Sequence, residues 1–166
     1  MVRAVGDGVT TGGAEQRLKV PPHSIEAEQS LLGGLMLDHQ SWDKIADVIT
    51  AGDFYRKDHR LIFFFFFSLA EDANPCDVVT VSEFLDNRSE LESAGGLEYL
   101  ATLANETPGA ANARSYAKIL RERSMLRSLI TAGNEISGAA LSTDGRSAAE
   151  IVDEAERLVF EIAESG

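Results

Sequence analysis

At 166 residues the chain is long enough to bury a sizeable core, and domains of roughly 100 to 200 residues leave room for one domain or one with an appendage. A net charge of −12 argues against a chain that grips nucleic acid by itself, because phosphate neutralisation needs clustered Lys and Arg, so proteins are the expected partners. The only cysteine, Cys76, rules out an intramolecular disulfide and a multi-cysteine zinc site and fits a reducing cytoplasm; the longest apolar run, Leu61 to Phe67, falls far short of the ~20 residues that cross a bilayer.

Residues 1–19 are rich in glycine without sustained periodicity and are expected to form a disordered leader. Gly6-x-Gly8 has the look of a phosphate loop, but no strand precedes it and no Gly-Lys-Ser/Thr occurs in the chain, so no nucleotide site is expected there. Pro21 and Pro22 forbid helix, Ser24 is an N-cap, and a helix should start there with Glu26 and Glu28 in its dipole-favoured first turn. Ile25, Leu31, Leu32, Leu35 and Met36 form its apolar face.

Ser41 is expected to cap a short second helix carrying Trp42, Ile45, Ala46, Val48 and Ile49, with Gly52 ending it. Phe54 and Tyr55 lead into a longer third helix with His59, Ile62, Phe63, Phe66, Leu69 and Ala70 at helical spacing, read as the central helix and stopped by Asn74-Pro75. Within it Phe63 and Phe66 fit the core stripe. Phe64, Phe65 and Phe67 exceed it, so either they meet another surface or this segment is not the natural sequence. Base stacking on these rings would need basic neighbours, and none occurs between Leu61 and Asn74. Thr80-x-x-Glu83 has the form of a capping box for a short helix through Leu85, and Gly95-Gly96 precedes another built on Leu97, Leu100 and Leu103.

Beyond Asn112 two longer helices are predicted. Tyr116, Leu120, Leu126, Ile130, Gly133 and Ile136 form an approximate stripe on the first; Ala148, Ile151, Val152, Ala155, Leu158, Val159 and Ile162 form a cleaner one on the second. Asp144-Gly145 turns between them and Ser147-x-x-Glu150 is a second capping box. Basic residues from Arg114 to Arg127 and acids from Asp144 to Glu164 would lie side by side in an antiparallel pair. The fold class is therefore all-α: a compact small helical domain over 20–110, then a two-helix antiparallel hairpin over 111–166 whose exposed apolar edge suits homotypic association.

Chemistry is sparse. Glu26 and Glu28 admit two readings, acid/base or metal chemistry beside a Gly-Gly, and plain dipole stabilisation, with the second favoured. His23, His39 and His59 lie in different segments without a recognisable metal pair and read as caps, surface groups or satisfied core residues. Asp72, Asp77, Asp86 and the Glu90/Glu92 pair read as solvated loop charge, and no local nucleophile signature surrounds Ser or Cys. No catalytic residue, cofactor site or metal site is assigned.

Several segments, in order, resemble the N-terminal domain of the bacterial DnaB-type replicative DNA helicases. They are Pro21-Pro22-His23-Ser24-Ile25-Glu26-Ala27-Glu28-Gln29-Ser30-Leu31-Leu32-Gly33, Phe54-Tyr55-x-x-x-His59-x-x-Ile62-Phe63 and Asp77-Val78-Val79-Thr80-Val81. Two more follow, Gly95-Gly96-x-x-Tyr99-Leu100 and Tyr116-Ala117-x-Ile119-Leu120-Arg121-Glu122-Arg123. The resemblance spans about residues 20 to 163, and the opening segment is the specific one. It implies a collar: hairpins pair into dimers and six chains form a hexamer, which receives primase and a helicase loader and passes single-stranded DNA through its ring.

It also implies a C-terminal ATPase domain, absent from this sequence, to bind ATP and magnesium, so the parent protein would be an ATP-dependent helicase and this fragment would hydrolyse nothing. By motif position, contacts with primase fall on Glu26, Tyr99, Ile130 and Ile136; core or hairpin packing is the competing role for Tyr99 and the two isoleucines. The segment after Phe63 departs from the family, which alternates polar and apolar residues where Phe64 to Phe67 stand. Two other readings stay open: the helicase-binding adaptor domain of a primase, against which the Pro-Pro-His-Ser-Ile-Glu-Ala-Glu opening speaks, and a small acid/base or metal enzyme using Glu26, Glu28 and His59.

Overall fold

In a computed structural model that describes residues 19–72 and 74–166, helix α1 (Ile25–Leu37) begins where the proline pair ends. The Ser24 hydroxyl accepts from the Ala27 amide at 3.2 Å, as an N-cap should. The expected leader lies outside the described residues except for Lys19, which is exposed coil. Helices α2 (Trp42–Ile45), α3 (Lys57–Glu71), α4 (Val78–Asn87), α5 (Gly96–Glu106), α6 (Ala113–Leu141) and α7 (Ala148–Ser165) follow, and no strand occurs among the described residues. The architecture is all-α, a compact helical body followed by an antiparallel hairpin of α6 and α7.

The centre is α1, not α3. It packs along α5 and α6 and also meets α3, burying Ala27, Leu31, Leu32, Leu35 and Met36. Gly33 and Gly34 make this possible: a Cβ on Gly33 would lie 2.1 Å from the Leu103 carbonyl oxygen, and one on Gly34 would lie 3.3 Å from Gly109 and Ala110. Periodicity shows which faces are apolar, but not that one helix lets two others approach its backbone. Opposite, α3 contributes Ile62, Phe63, Phe66 and Leu69, with Phe54 fully buried against Phe63 at a ring separation of 4.9 Å.

The phenylalanine run is less excessive than its sequence suggests. Phe65 is 4% exposed because α4 covers it: its ring meets Phe84 edge-on at 5.0 Å, and the Arg88 guanidinium lies 3.8 Å over Phe84. Only Phe64 and Phe67 remain outside, about half exposed. Leu97 is also exposed, so α5 buries Leu100 and Leu103 alone of its expected leucines.

Two caps differ from expectation. The second helical segment is broken: a 3-10 turn at His39–Ser41, capped by Asp38, precedes the four-residue α2, in which Ser41 makes no side-chain cap. A second 3-10 turn, Ala51–Asp53, comes before α3, and there the Asp53 carboxylate accepts from the Thr50 amide at 2.9 Å. Helix α4 starts earlier than the Thr80 box implies, because Asp77, read as loop charge, accepts from the Thr80 amide at 2.8 Å while the Thr80 hydroxyl donates to the Pro75 carbonyl. Asp77→Ala should therefore cost about 1 kcal/mol in urea unfolding, and Glu83→Ala far less, reversing the ranking a Thr80–Glu83 box requires.

Helix α6 runs 29 residues, and its first third is core: Ala113, Ala117 and Leu120 are buried against the body. At the far turn Asp144 and Gly145 take φ of 51° and 82°, the left-handed pair that reverses the chain into α7. Ser147 caps α7 by accepting from the Glu150 amide at 3.1 Å.

Candidate functional site

Glu28 is not a solvated first-turn charge. Its side chain is buried, where one carboxylate oxygen accepts from the Tyr55 amide at 2.9 Å and the other from the Arg56 amide at 3.3 Å and from His59 Nδ1 at 2.8 Å. These amides lie just ahead of α3, so the glutamate of α1 ties down the turn that leads into that helix. On its other side His59 Nε2 lies 2.5 Å from the Tyr99 hydroxyl, which also accepts from Gln29 Nε2 at 3.2 Å. One proton arrangement satisfies all of these groups: Nδ1–H donates to Glu28, and Nε2 accepts from Tyr99.

Tyr99 closes the network at the surface. Its ring lies parallel to His59 at 5.9 Å and beneath the Arg56 guanidinium at 5.3 Å, and Arg56 is itself paired with Asp58. Burial pushes the Tyr99 hydroxyl up, partly opposed by the Gln29 hydrogen bond and the charge of Arg56. The acid/base reading of Glu26, Glu28 and His59 meets a geometric obstacle here. Glu28 and His59 pair but have no exposed surface for a substrate, and Glu26 points to solvent outside the network.

A second polar cluster joins hairpin to body. Arg121 Nη1 pairs with Asp53 at 2.9 Å, and its Nη2 donates to the carbonyl and hydroxyl of Ser165 at the end of α7. Arg127 Nη1 donates to the Pro22 carbonyl at 2.7 Å and Nη2 to the Asp53 carbonyl at 2.8 Å. Its guanidinium sits 5.5 Å from the centre of the Tyr55 ring, which stacks on His23 at 4.4 Å. These arginines were expected to face the acids of α7. Instead, among the described residues no ion pair joins α6 to α7, and Arg157 of α7 is taken by Glu154 and Glu161 of its own helix.

The hairpin leaves apolar side chains of both its helices exposed. On α7, Ile151 is buried, and Ala155, Leu158 and Ile162 line the seam with α6, whereas Val152, Val159 and Phe160 are 55%, 49% and 64% exposed. On α6, Leu126, Leu129 and Ile130 are exposed about half a turn round from the body-facing stripe. Of the residues that the family resemblance marks for primase, Glu26 and Ile130 are exposed, Ile136 is half-buried at the hairpin seam, and Tyr99 is half-buried with its hydroxyl engaged. They do not form one patch: Glu26 lines a groove of about 440 Å³ with Thr102, Glu106 and Tyr116, away from the isoleucines on the hairpin.

Sequence reasoning missed Asp53, Arg121 and Arg127 as a cluster, since their partners are backbone carbonyls and a residue 68 positions away. No helix among the described residues is long and apolar enough to cross a membrane, and no group of three or more His, Cys, Asp and Glu side chains could hold a metal there.

The DnaB-like helicase N-terminal domain family matches residues 20–122. The replicative DNA helicase DnaB of Haemophilus influenzae is 47% identical over 148 residues, 89% of this chain but 32% of that protein, so this chain spans about a third of that relative's length. Among solved structures, the N-terminal domain of DnaB helicase from Mycobacterium tuberculosis superposes with a TM-score of 0.82 at 36% identity, covering 86% of this chain and 99% of that one. A DnaB-like replicative helicase, solved in a study of its interactions with primase, shares the fold at a TM-score of 0.68 and 19% identity, over 84% of this chain and 31% of that one. With the family matched over residues 20–122 and the fold shared with a solved N-terminal domain at 36% identity, this chain belongs to the DnaB-like helicase N-terminal domain family.

Proposed function

We propose that the chain is the assembly and docking collar of a hexameric replicative DNA helicase. The observation that carries this reading is the exposed apolar edge of the hairpin, on Val152, Val159 and Phe160, in a chain of that family. An isolated hairpin leaves such an edge in water, and a second hairpin is the simplest surface to cover it. In the assembled parent, primase and a loader would dock on the collar and single-stranded DNA would pass through its ring in the cytoplasm.

ATP and magnesium belong to a separate ATPase domain in this reading. The sequence here has no Gly-Lys-Ser/Thr, and no group of three or more His, Cys, Asp and Glu side chains among the described residues could hold a metal. Glu26, Tyr99, Ile130 and Ile136 are proposed to meet primase, with Tyr99 acting through its ring because its hydroxyl is already engaged.

Sedimentation velocity over a wide concentration range tests the assembly. The parent chain should associate by mass action, and the double variant Val159→Glu with Phe160→Glu should stay monomeric with its helicity intact, since both sites are solvent-facing. A parent that remains monomeric throughout counts against the collar.

A further inference from the structure

Helix α6 is unbroken, yet only its first part belongs to the body. Its inward stripe runs Ala113, Ala117, Leu120, Ser124, and Arg127 occupies the next position, where apolar contact with the body stops. Beyond it Ala132 alone of α6 is buried, in a cleft lined by α7 and by Gly52 of the body. The helix leaves the body at this point.

Arg127 has the geometry to fix the direction of the hairpin there. Its two arms donate to carbonyls from different segments, Pro22 ahead of α1 and Asp53 ahead of α3, at 2.7 and 2.8 Å. A planar guanidinium with two engaged arms fixes an orientation, whereas a single-point donor fixes only a distance. The Tyr55 ring lies 5.5 Å from the guanidinium and stacks in turn on His23. Arg121 secures the same loop from the other side through the Asp53 carboxylate and reaches the end of α7 at Ser165.

We infer that Arg127 is a positioning residue that sets the angle at which the hairpin leaves the compact body, and with it the placement of the apolar edge on Val152, Val159 and Phe160. Its effect on assembly rests on the proposed collar function; its effect on geometry does not.

Both are measured in the 166-residue chain carrying Cys76→Ala, with spin labels on Asp86→Cys in α4 and Thr143→Cys at the hairpin turn. The parent should give one narrow body-to-tip distance. Arg127→Ala should broaden or shift that distribution with helicity retained, and Arg127→Lys, with the charge but a single compact head, should fall between the two. An unchanged distribution in Arg127→Ala, even with a lower unfolding midpoint, overturns the inference. If Arg127→Ala loses its helical signal, Arg127→Lys decides alone, and the parent's distribution in that variant overturns it.

Sedimentation of the same variants separates the two readings. Altered distance without altered association leaves the positioning role and refutes its effect on assembly, whereas a parent that does not associate argues against the collar alone. Weakened association with an unaltered distance refutes the positioning role.

Discussion

Glu28→Ala is expected to destabilise the fold by about 3 to 5 kcal/mol, a large share of the 5 to 15 kcal/mol by which domains are ordinarily stable. The side chain is buried and accepts from two part-buried backbone amides and from buried His59, so its removal strands three donors. Glu26→Ala is the internal control. It lies in the same first turn of α1 but faces solvent, and its cost should be within about 0.5 kcal/mol. Urea midpoints followed by circular dichroism compare the two. Equal losses would mean that Glu28 contributes only to the helix dipole.

The companion variant Tyr99→Phe removes one hydroxyl and leaves Glu28 with all its donors, so it should cost much less, about 1 kcal/mol.

Gly33→Ala should destabilise by about 3 kcal/mol or more, although alanine is better than glycine in a helix by about 1 kcal/mol. Space decides against propensity. The new methyl would sit 2.1 Å from the Leu103 carbonyl oxygen and 2.8 Å from Thr107 Cβ, so α1 and the end of α5 must move apart. Neither neighbour is the free end of a flexible side chain. Gly34 is the contrast, because its nearest contacts begin at 3.3 Å and a shift of a few tenths of an ångström accommodates the methyl. Gly34→Ala should therefore change the unfolding midpoint little. If Gly33→Ala matched it, the close approach of α1 to α5 would not be what Gly33 provides.

The Glu28 result bears on how the opening stretch is read. Glu26 and Glu28 are alike on paper, two residues apart in one turn, and first-turn carboxylates ordinarily serve the dipole. Chain order cannot show that α3 begins against one of them and not the other. For His59 the sequence leaves cap, surface group and satisfied core residue open, and only its contacts with Glu28 and Tyr99 decide for the last. Phe65 was out of place until Phe84 and Arg88 closed over it.

Of the candidate docking residues, the sequence supplied identities and the fold supplied access. Ile130 stays exposed because it lies on the face of α6 turned away from the body; Ile136 is half-covered because α7 lies alongside.

What the sequence determined by itself was local and periodic. The stop at Pro21-Pro22, the caps at Ser24 and Ser147, the Asp144-Gly145 reversal, the apolar face of α1 and the helical class all depend on residues within a few positions of one another. What only the tertiary structure decided was which side chains reach across the chain. Glu28 closes on α3 across 31 residues, Arg121 reaches Asp53 across 68, and Arg127 reaches Pro22 across 105. Such contacts follow no period along the chain, because their partners are backbone groups and buried atoms brought together only when the helices pack.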